Sequence, residues 1–403
     1  MAFDFFSSNL EFFAFVLVLS VFLYFKRKNI EVTGSFPFLY MIMYKTKLGL
    51  DKMDKWSKSH PNVFLYLAYL SIFIGIIGTI AMFFFMFWQL GYIVENDITA
   101  GGGFVLPIKT ENGMDSAVPV FYVPFWYWLI ALFVLVIVHE FAHGVIAERF
   151  GVKIKSSGFA FLGILAPIVP AAFVEPDEKD LKTKKRWQQI AVFGAGSTSN
   201  FIFGGLFLLV LIFICAPFVS MTMQTSEISF SNVMNESSLY NYNVTNGTII
   251  AFNGVYDLDN VSTSLMNLSL NQSVNLTINS SGVLNTYEIV TFENPQMEGK
   301  GMIGISGLKI ESENKDGFQL LGDFPLNFQI LIFYIVFLNI GIGMMNLLPI
   351  WITDGGQIAR SLLEKYLGEK HGWTIFNIIS FISLIMIIFT IKPSLLFSLI
   401  AMF

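Results

Sequence analysis

Cysteine is almost absent from this chain. A single residue, Cys215, stands in an apolar run of a 403-residue sequence, so no disulfide can close within the chain and no thiolate-type zinc site can be assembled. Any metal would have to be held by His and carboxylate. Charge is scarce as well: 13% of residues are Asp, Glu, Lys or Arg, the net charge is -5, and there is no basic block. That balance argues against nucleic acid as a partner. Histidine occurs only 4 times. The order of residues that marks a cleaved leader is missing too. The first apolar stretch, Phe12–Phe25, is followed rather than preceded by basic residues, Lys26-Arg27-Lys28, and this predicts a retained membrane helix.

What the chain has is apolar sequence in long runs. It is 54% hydrophobic with 44 Phe, and its mean hydropathy is +0.64. Six stretches approach the ~20 residues needed to cross a bilayer: 8–25, 64–88, 123–147, 188–216, 327–350 and 372–391. Segments 26–63 and 148–187 each carry eight Lys or Arg, and 351–371 carries three. The alternate segments 1–7, 89–122 and 217–326 carry zero, one and three. By the positive-inside rule the basic loops are cytoplasmic and both termini lie outside. Eight N-x-Ser/Thr triplets fall between Asn235 and Ser281 and none elsewhere, which agrees with an external 217–326 and makes N-glycans possible partners there. An Asn/Ser/Thr-rich composition would also generate such triplets.

Within 131–148, ALFVLVIVHEFAHGVIAE, sit His139, Glu140 and His143. Two His four residues apart on a helix project from one face and can grip one Zn²⁺. Glu140, about 100° round the helix, suits a base acting on water. Chance would supply such a match on the order of 0.002 times in a chain of this composition. Two satisfied core histidines are the bland alternative, but ionisable groups inside a membrane segment are costly and usually mark function.

A catalytic zinc usually has three protein ligands. GVIAERFGVKI, after His143, has no third His, and Glu148 faces elsewhere. Asp354, in N-L-L-P-I-W-I-T-D-G-G (346–356), closes the fifth span level with the His pair, and Pro349 breaks the helix before it. Asp354 fits equally well as the N-cap of a helix over 357–367. Asn200, in the fourth span beside Gly194 and Gly196, adds an amide within the membrane. Between the first two core spans, Phe159–Phe173 is apolar but broken by Gly163, Pro167 and Pro170. It is expected as a hairpin-like re-entrant loop entering from the cytoplasm, since irregular backbone at membrane depth must be buried in protein or line a wet cavity. A plain loop resting on the membrane surface is the alternative.

Together these residues resemble the site-2 protease family of intramembrane zinc metalloproteases. The resemblance is carried by H-E-x-x-H (His139, Glu140, His143), Gly-x-x-x-Asn (Gly196, Asn200) and N-x-x-P followed by Asp-Gly (Asn346, Pro349, Asp354, Gly355). It implies a polytopic α-helical membrane protein of about six transmembrane helices, with a three-helix catalytic core, a re-entrant loop and an inserted small, mostly β, PDZ-like extracytoplasmic domain. The implied division is 1–122 (N-terminal helices and loops), 123–216 (first part of the core), 217–326 (PDZ-like domain), 327–367 (last core helix) and 368–403 (C-terminal helix and tail). It further implies Zn²⁺ on His139, His143 and Asp354, Glu140 as general base, and regulated cleavage of transmembrane protein substrates within the lipid bilayer. Asn200, Asn346 and Pro349 are candidate substrate-binding residues. Family members often have Gly-Pro where this chain has Gly196-Ser197, so the bend of that helix is expected to differ. In the external domain, strands are expected over Thr248–Val255, Val274–Ile278 and Tyr287–Phe292, with turns at Asn253-Gly254 and Ser281-Gly282. The rival class is a non-proteolytic protein, either a metal transporter or a binding protein on a degenerate protease core. The spans offer few acidic or His residues for a transport path, and a degenerate protease would be expected to lose Glu140.

Overall fold

A computed structural model of the chain describes residues 5, 7–35, 39–98, 102–109, 120–164, 166–294 and 297–400. The chain divides into two compact units, the first made of Met1–Val210 and Ile330–Phe403, the second of Leu211–Gln329.

Helices that contribute to the first unit include α1 (Leu10–Phe25), α2 (Leu50–Ser59), α3 (Pro61–Glu95), α4 (Phe125–Arg149), α5 (Arg186–Val210), α6 (Phe324–Met345), α7 (Asp354–Leu367) and α8 (Glu369–Ile391). Among the described residues, α3, α4, the helical run Arg186–Thr222, α6 and α8 are long and apolar enough to cross a membrane. This is a polytopic helical membrane protein. Helix α1 is apolar, but its 16 residues span about 24 Å, less than the ~30 Å hydrocarbon core. Along α3, Tyr66, Phe73, Ile77, Ile80 and Phe84 are exposed, as a lipid-facing surface requires. Its opposite face packs on α5, and there the helices meet through small residues. A Cβ added at Gly75 would lie 3.4 Å from the Gly194 Cα, and one at Gly194 would strike the Ser71 carbonyl. Small residues let membrane helices approach this closely.

The expected re-entrant segment is an antiparallel hairpin, β3 (Ile154–Ile164) and β4 (Ala166–Pro176). It does not stand alone. Two strands from the first basic loop, β1 (Ile30–Ser35) and β2 (Leu39–Thr46), extend it into a four-stranded sheet of order β1-β2-β3-β4. The β2–β3 register pairs Met43 with Ala160, and Gly158 lies where a side chain would collide with the Tyr44 carbonyl. Strand β4 contains Pro167, Pro170 and Pro176. Proline cannot donate to a ladder, and β4 accordingly lies at the edge.

The second unit holds a five-stranded sheet. Its strands are β5 (Met223–Phe230), β6 (Gly247–Phe252), β7 (Ser273–Ser280), β8 (Val283–Val290) and β9 (Lys309–Asn314), in the order β8-β7-β6-β5-β9. Ile228, Leu239, Ile249, Leu276, Ile278 and Ile289 are wholly buried in its core. Ser281 (φ 52°) and Gly282 (φ 83°) connect β7 to β8, with Ser280 opposite Val283. Two positive φ values in a two-residue loop match the twist of the strands they join. Asn253 (φ 48°) and Gly254 (φ 78°) turn the chain in the same way after β6. Strand β8 begins at Val283, four residues before the expected start at Tyr287. Its N-terminal half is exposed, so it lacks the alternation by which a half-buried strand is read.

Candidate metal centre

The site begins with α4. His139 and His143 stand one turn apart, and their Nε2 atoms are 3.1 Å from each other. Each ring is held from behind by α5. The Nδ1–H of His143 donates to the Val192 carbonyl at 2.7 Å, and Nδ1 of His139 lies 3.1 Å from the Asn200 amide. Between these two contacts α5 carries Gly196. A Cβ there would fall 2.5 Å from His139 Nε2 and would also strike His143. The absence of a side chain at 196 is what leaves room for both imidazoles.

Asp354 is brought in by the break before α7. Helix α6 ends at Met345, earlier than the expected 350, because Pro349 has no N–H to continue it. The freed segment folds over the start of α7. The Gly355 N–H donates to the Asn346 carbonyl at 2.8 Å, and the Pro349 carbonyl accepts from Ser380 Oγ at 3.0 Å. Cβ atoms at Gly355 and Gly356 would collide with the Leu347 and Ile350 carbonyls, so only glycine permits this closure. Thr353, not Asp354, is the N-cap, its Oγ1 accepting from the Gly356 N–H at 3.2 Å. The Asp354 carboxylate is thereby free to point at the histidines, and its Oδ2 lies 3.4 Å from each Nε2.

These three donors fit a zinc ion. Ligands about 2.0–2.1 Å from a tetrahedral zinc lie about 3.3–3.4 Å from one another, and the separations here are 3.1, 3.4 and 3.4 Å. Asp354 Oδ2 is buried and makes no hydrogen bond of good geometry, a costly arrangement unless a cation meets it. A carboxylate is the form of this side chain that binds a metal. Among the described residues this is the one group of three such side chains spaced to hold an ion, and Glu148 is not part of it.

Glu140, beside the two histidines on α4, reaches the sheet, where its Oε2 accepts from the Val174 N–H of β4 at 2.9 Å. Residues 127–390 match the family model of peptidase family M50. The chain belongs to peptidase family M50. This is a family of metallopeptidases, and the match covers both the His-Glu helix and the Asp-Gly segment. The chain is also similar to an uncharacterized protein of Methanocaldococcus jannaschii, 32% identical over 163 residues, which make up 39% of this chain and 39% of that protein. It thus spans about two-fifths of the length of the relative it matches.

In this M50 peptidase the donor triangle opens on a cavity of about 1450 Å³. Apolar Leu132, Leu135 and Val136 line it together with charged Arg186, Arg360 and Glu364, and His139, Glu140, His143 and Asp354 are also in the wall. The lining includes residues 170–174 of β4 and includes Asn346, but neither Asn200 nor Pro349. Asn200 is wholly buried against His139. Sequence reasoning missed the Val192 and Val174 contacts, because both are made by main-chain atoms and leave no trace in residue type.

Proposed function

We propose that this chain is an intramembrane zinc endopeptidase that cleaves the transmembrane segments of other membrane proteins. The single observation that carries this reading is the His139–His143–Asp354 triangle, sized for zinc, with its two histidines on a membrane-crossing helix that also bears Glu140. When bound, Zn²⁺ supplies a Lewis acid that polarises the scissile carbonyl and lowers the pKa of water. Glu140 takes the proton from the attacking water and delivers it to the departing amine. Both transfers use one carboxylate, which in this reading releases the Val174 N–H as it turns to the reacting centre.

A transmembrane helix hides its peptide bonds in its own hydrogen bonds, so the substrate must extend before it is cut. The free edge of β4 suits an extended segment, as peptides add to sheet edges elsewhere. Asn346, in the cavity wall, is suited to hold main-chain groups that the substrate frees on unwinding. An Asn346→Ala enzyme with undiminished activity would remove it from this role. The second unit, in this reading a PDZ-type domain on the extracytoplasmic side, screens substrates by admitting those whose own external domains have been trimmed. The protein then works in regulated intramembrane proteolysis, with its zinc toward the cytoplasm.

The deciding experiment measures zinc content and cleavage of a transmembrane substrate in detergent, wild type beside Glu140→Gln. Zinc retained in both, with cleavage lowered by about 10²–10⁴-fold in the variant, is the expected result. Equal cleavage in both would remove Glu140 as the base, and no zinc in wild type would sink the whole reading.

A further inference from the structure

We propose that Asn200 is a positioning residue: its side-chain carbonyl accepts the Nδ1–H of His139 and so keeps the Nε2 lone pair of that ring turned toward Asp354 and His143. The proposal rests on the zinc reading and goes beyond it, since Asn200 would bind neither metal nor substrate.

The two histidines answer the same question in different ways. A neutral imidazole carries one proton, and the nitrogen that meets a metal must be the bare one. For His143 the structure fixes this outright. The partner of its Nδ1 is the Val192 carbonyl, which can only accept, so in the neutral ring the proton is on Nδ1 and Nε2 is bare. His139 presents Nε2 to the same centre, 3.4 Å from Asp354 Oδ2, and its Nδ1 faces the Asn200 amide at 3.1 Å. An amide can face it with either end. If the NH₂ end faced the ring, Nδ1 would be the acceptor, Nε2 would carry the proton, and His139 could not ligate. With the oxygen facing the ring, both histidines hold bare Nε2 atoms on one centre.

The two ends of an amide have nearly the same shape, so the hydrogen-bond network decides between them. As placed, the nitrogen faces His139 and Oδ1 is buried with no partner. Turning the amide over leaves the nitrogen unpartnered instead of the oxygen. The amide's own bonding is therefore indifferent, and the choice falls to the ring. Asn200 is wholly buried and absent from the cavity wall, so its polar group has no access to substrate. It sits one turn beyond Gly196, the glycine that makes room for the rings. Helix α5 thus serves both imidazoles from behind, with the carbonyl of Val192 on one side and the side-chain carbonyl of Asn200 on the other. Partners of this kind fix ring tautomer and raise ligand basicity.

The test compares wild type with Asn200→Leu, close in size but without an acceptor, and Asn200→Asp, which can only accept. Zinc affinity is read by chelator competition in the purified full chain, so no cleavage assay enters. We expect the Leu variant to bind zinc about 10–100-fold more weakly and the Asp variant to stay within about threefold of wild type. The ring N–H protons of the zinc-loaded protein, followed by NMR, give a second readout, made tractable by only 4 histidines in the chain. The His139 Nδ1–H should be hydrogen-bonded and slow to exchange in wild type and in Asn200→Asp alike, and should lose that protection in Asn200→Leu. Equal affinity in wild type and Asn200→Leu would overturn the inference. So would an Asn200→Asp protein as weak as Asn200→Leu, since that would mean the amide donates. Should the Leu variant fail to fold, the Asp variant and the wild-type N–H resonance still decide. A wild type that binds no zinc would sink the metal reading itself, whereas normal zinc with no effect of Asn200 sinks this inference alone.

Discussion

A candidate metal centre made from two helices and a broken third depends on residues that contribute nothing but space. Gly196 is the clearest of them. Its own helix offers a control in Gly205, where an added Cβ would meet nothing within 4 Å. Gly196→Ala should displace the imidazoles and lower cleavage by about 10²-fold, the cost of misplacing catalytic groups by about 1 Å. Gly205→Ala should leave zinc content and cleavage unchanged. The measurement is zinc stoichiometry with substrate turnover in both variants. Equal behaviour would mean that the space at 196 is not what the centre needs. At this scale much was legible in the sequence. The pair His139 and His143 is announced by its spacing, and Asp354 by Pro349 before it and two glycines after it. That Thr353 takes the capping role and leaves Asp354 free was not legible, because either residue can cap a helix.

Between residues and the whole lies the sheet, and here the sequence concealed more. The hairpin of β3 and β4 follows from an apolar stretch too short and too interrupted to cross a membrane. Strands β1 and β2 do not follow from anything local. Among the described residues β1 pairs only with β2, and the β3 partner that brings β2 into the sheet lies more than a hundred residues away, as in the pairing of Met43 with Ala160. Long-range pairing of this kind leaves only a weak local signal. Once the sheet is complete, β4 is its edge, and the bond from the Val174 N–H to Glu140 shows that this N–H points away from β3. Proline at 174 would therefore remove no bond of the existing ladder. If the edge of β4 receives the substrate, Val174→Pro should cut turnover by about 10–10²-fold through loss of the main-chain donor that Glu140 releases to it. Zinc content should not change. Wild-type turnover in this variant would show that substrate does not pair with β4 at 174.

The orientation of the whole molecule in its bilayer rests on charge, and the second unit supplies an independent check on it. The Asn of all eight N-x-Ser/Thr triplets are exposed, so nothing in the fold of that unit bars their modification if it lies outside the cytoplasm. Selectivity is expected to depend on the same unit, and deleting 217–326 should broaden the range of substrates cut while leaving the zinc centre active. The orientation itself can be read through cysteine chemistry, because the chain's single cysteine, Cys215, is buried and buried thiols are inert. Cysteines introduced at Asn246 in the second unit and at Lys55 on α2, both exposed positions, would then report their own surroundings. In intact cells a membrane-impermeant maleimide should label Asn246→Cys and spare Lys55→Cys, and permeabilisation should expose the second site. This follows from eight Lys and Arg in 26–63 against three in the much longer 217–326, a bias that retains the basic segment on the cytoplasmic side. The reverse pattern would invert the protein. It would put the zinc near the outer face and the second unit in the cytoplasm, and it would end the proposal that this unit screens trimmed external domains.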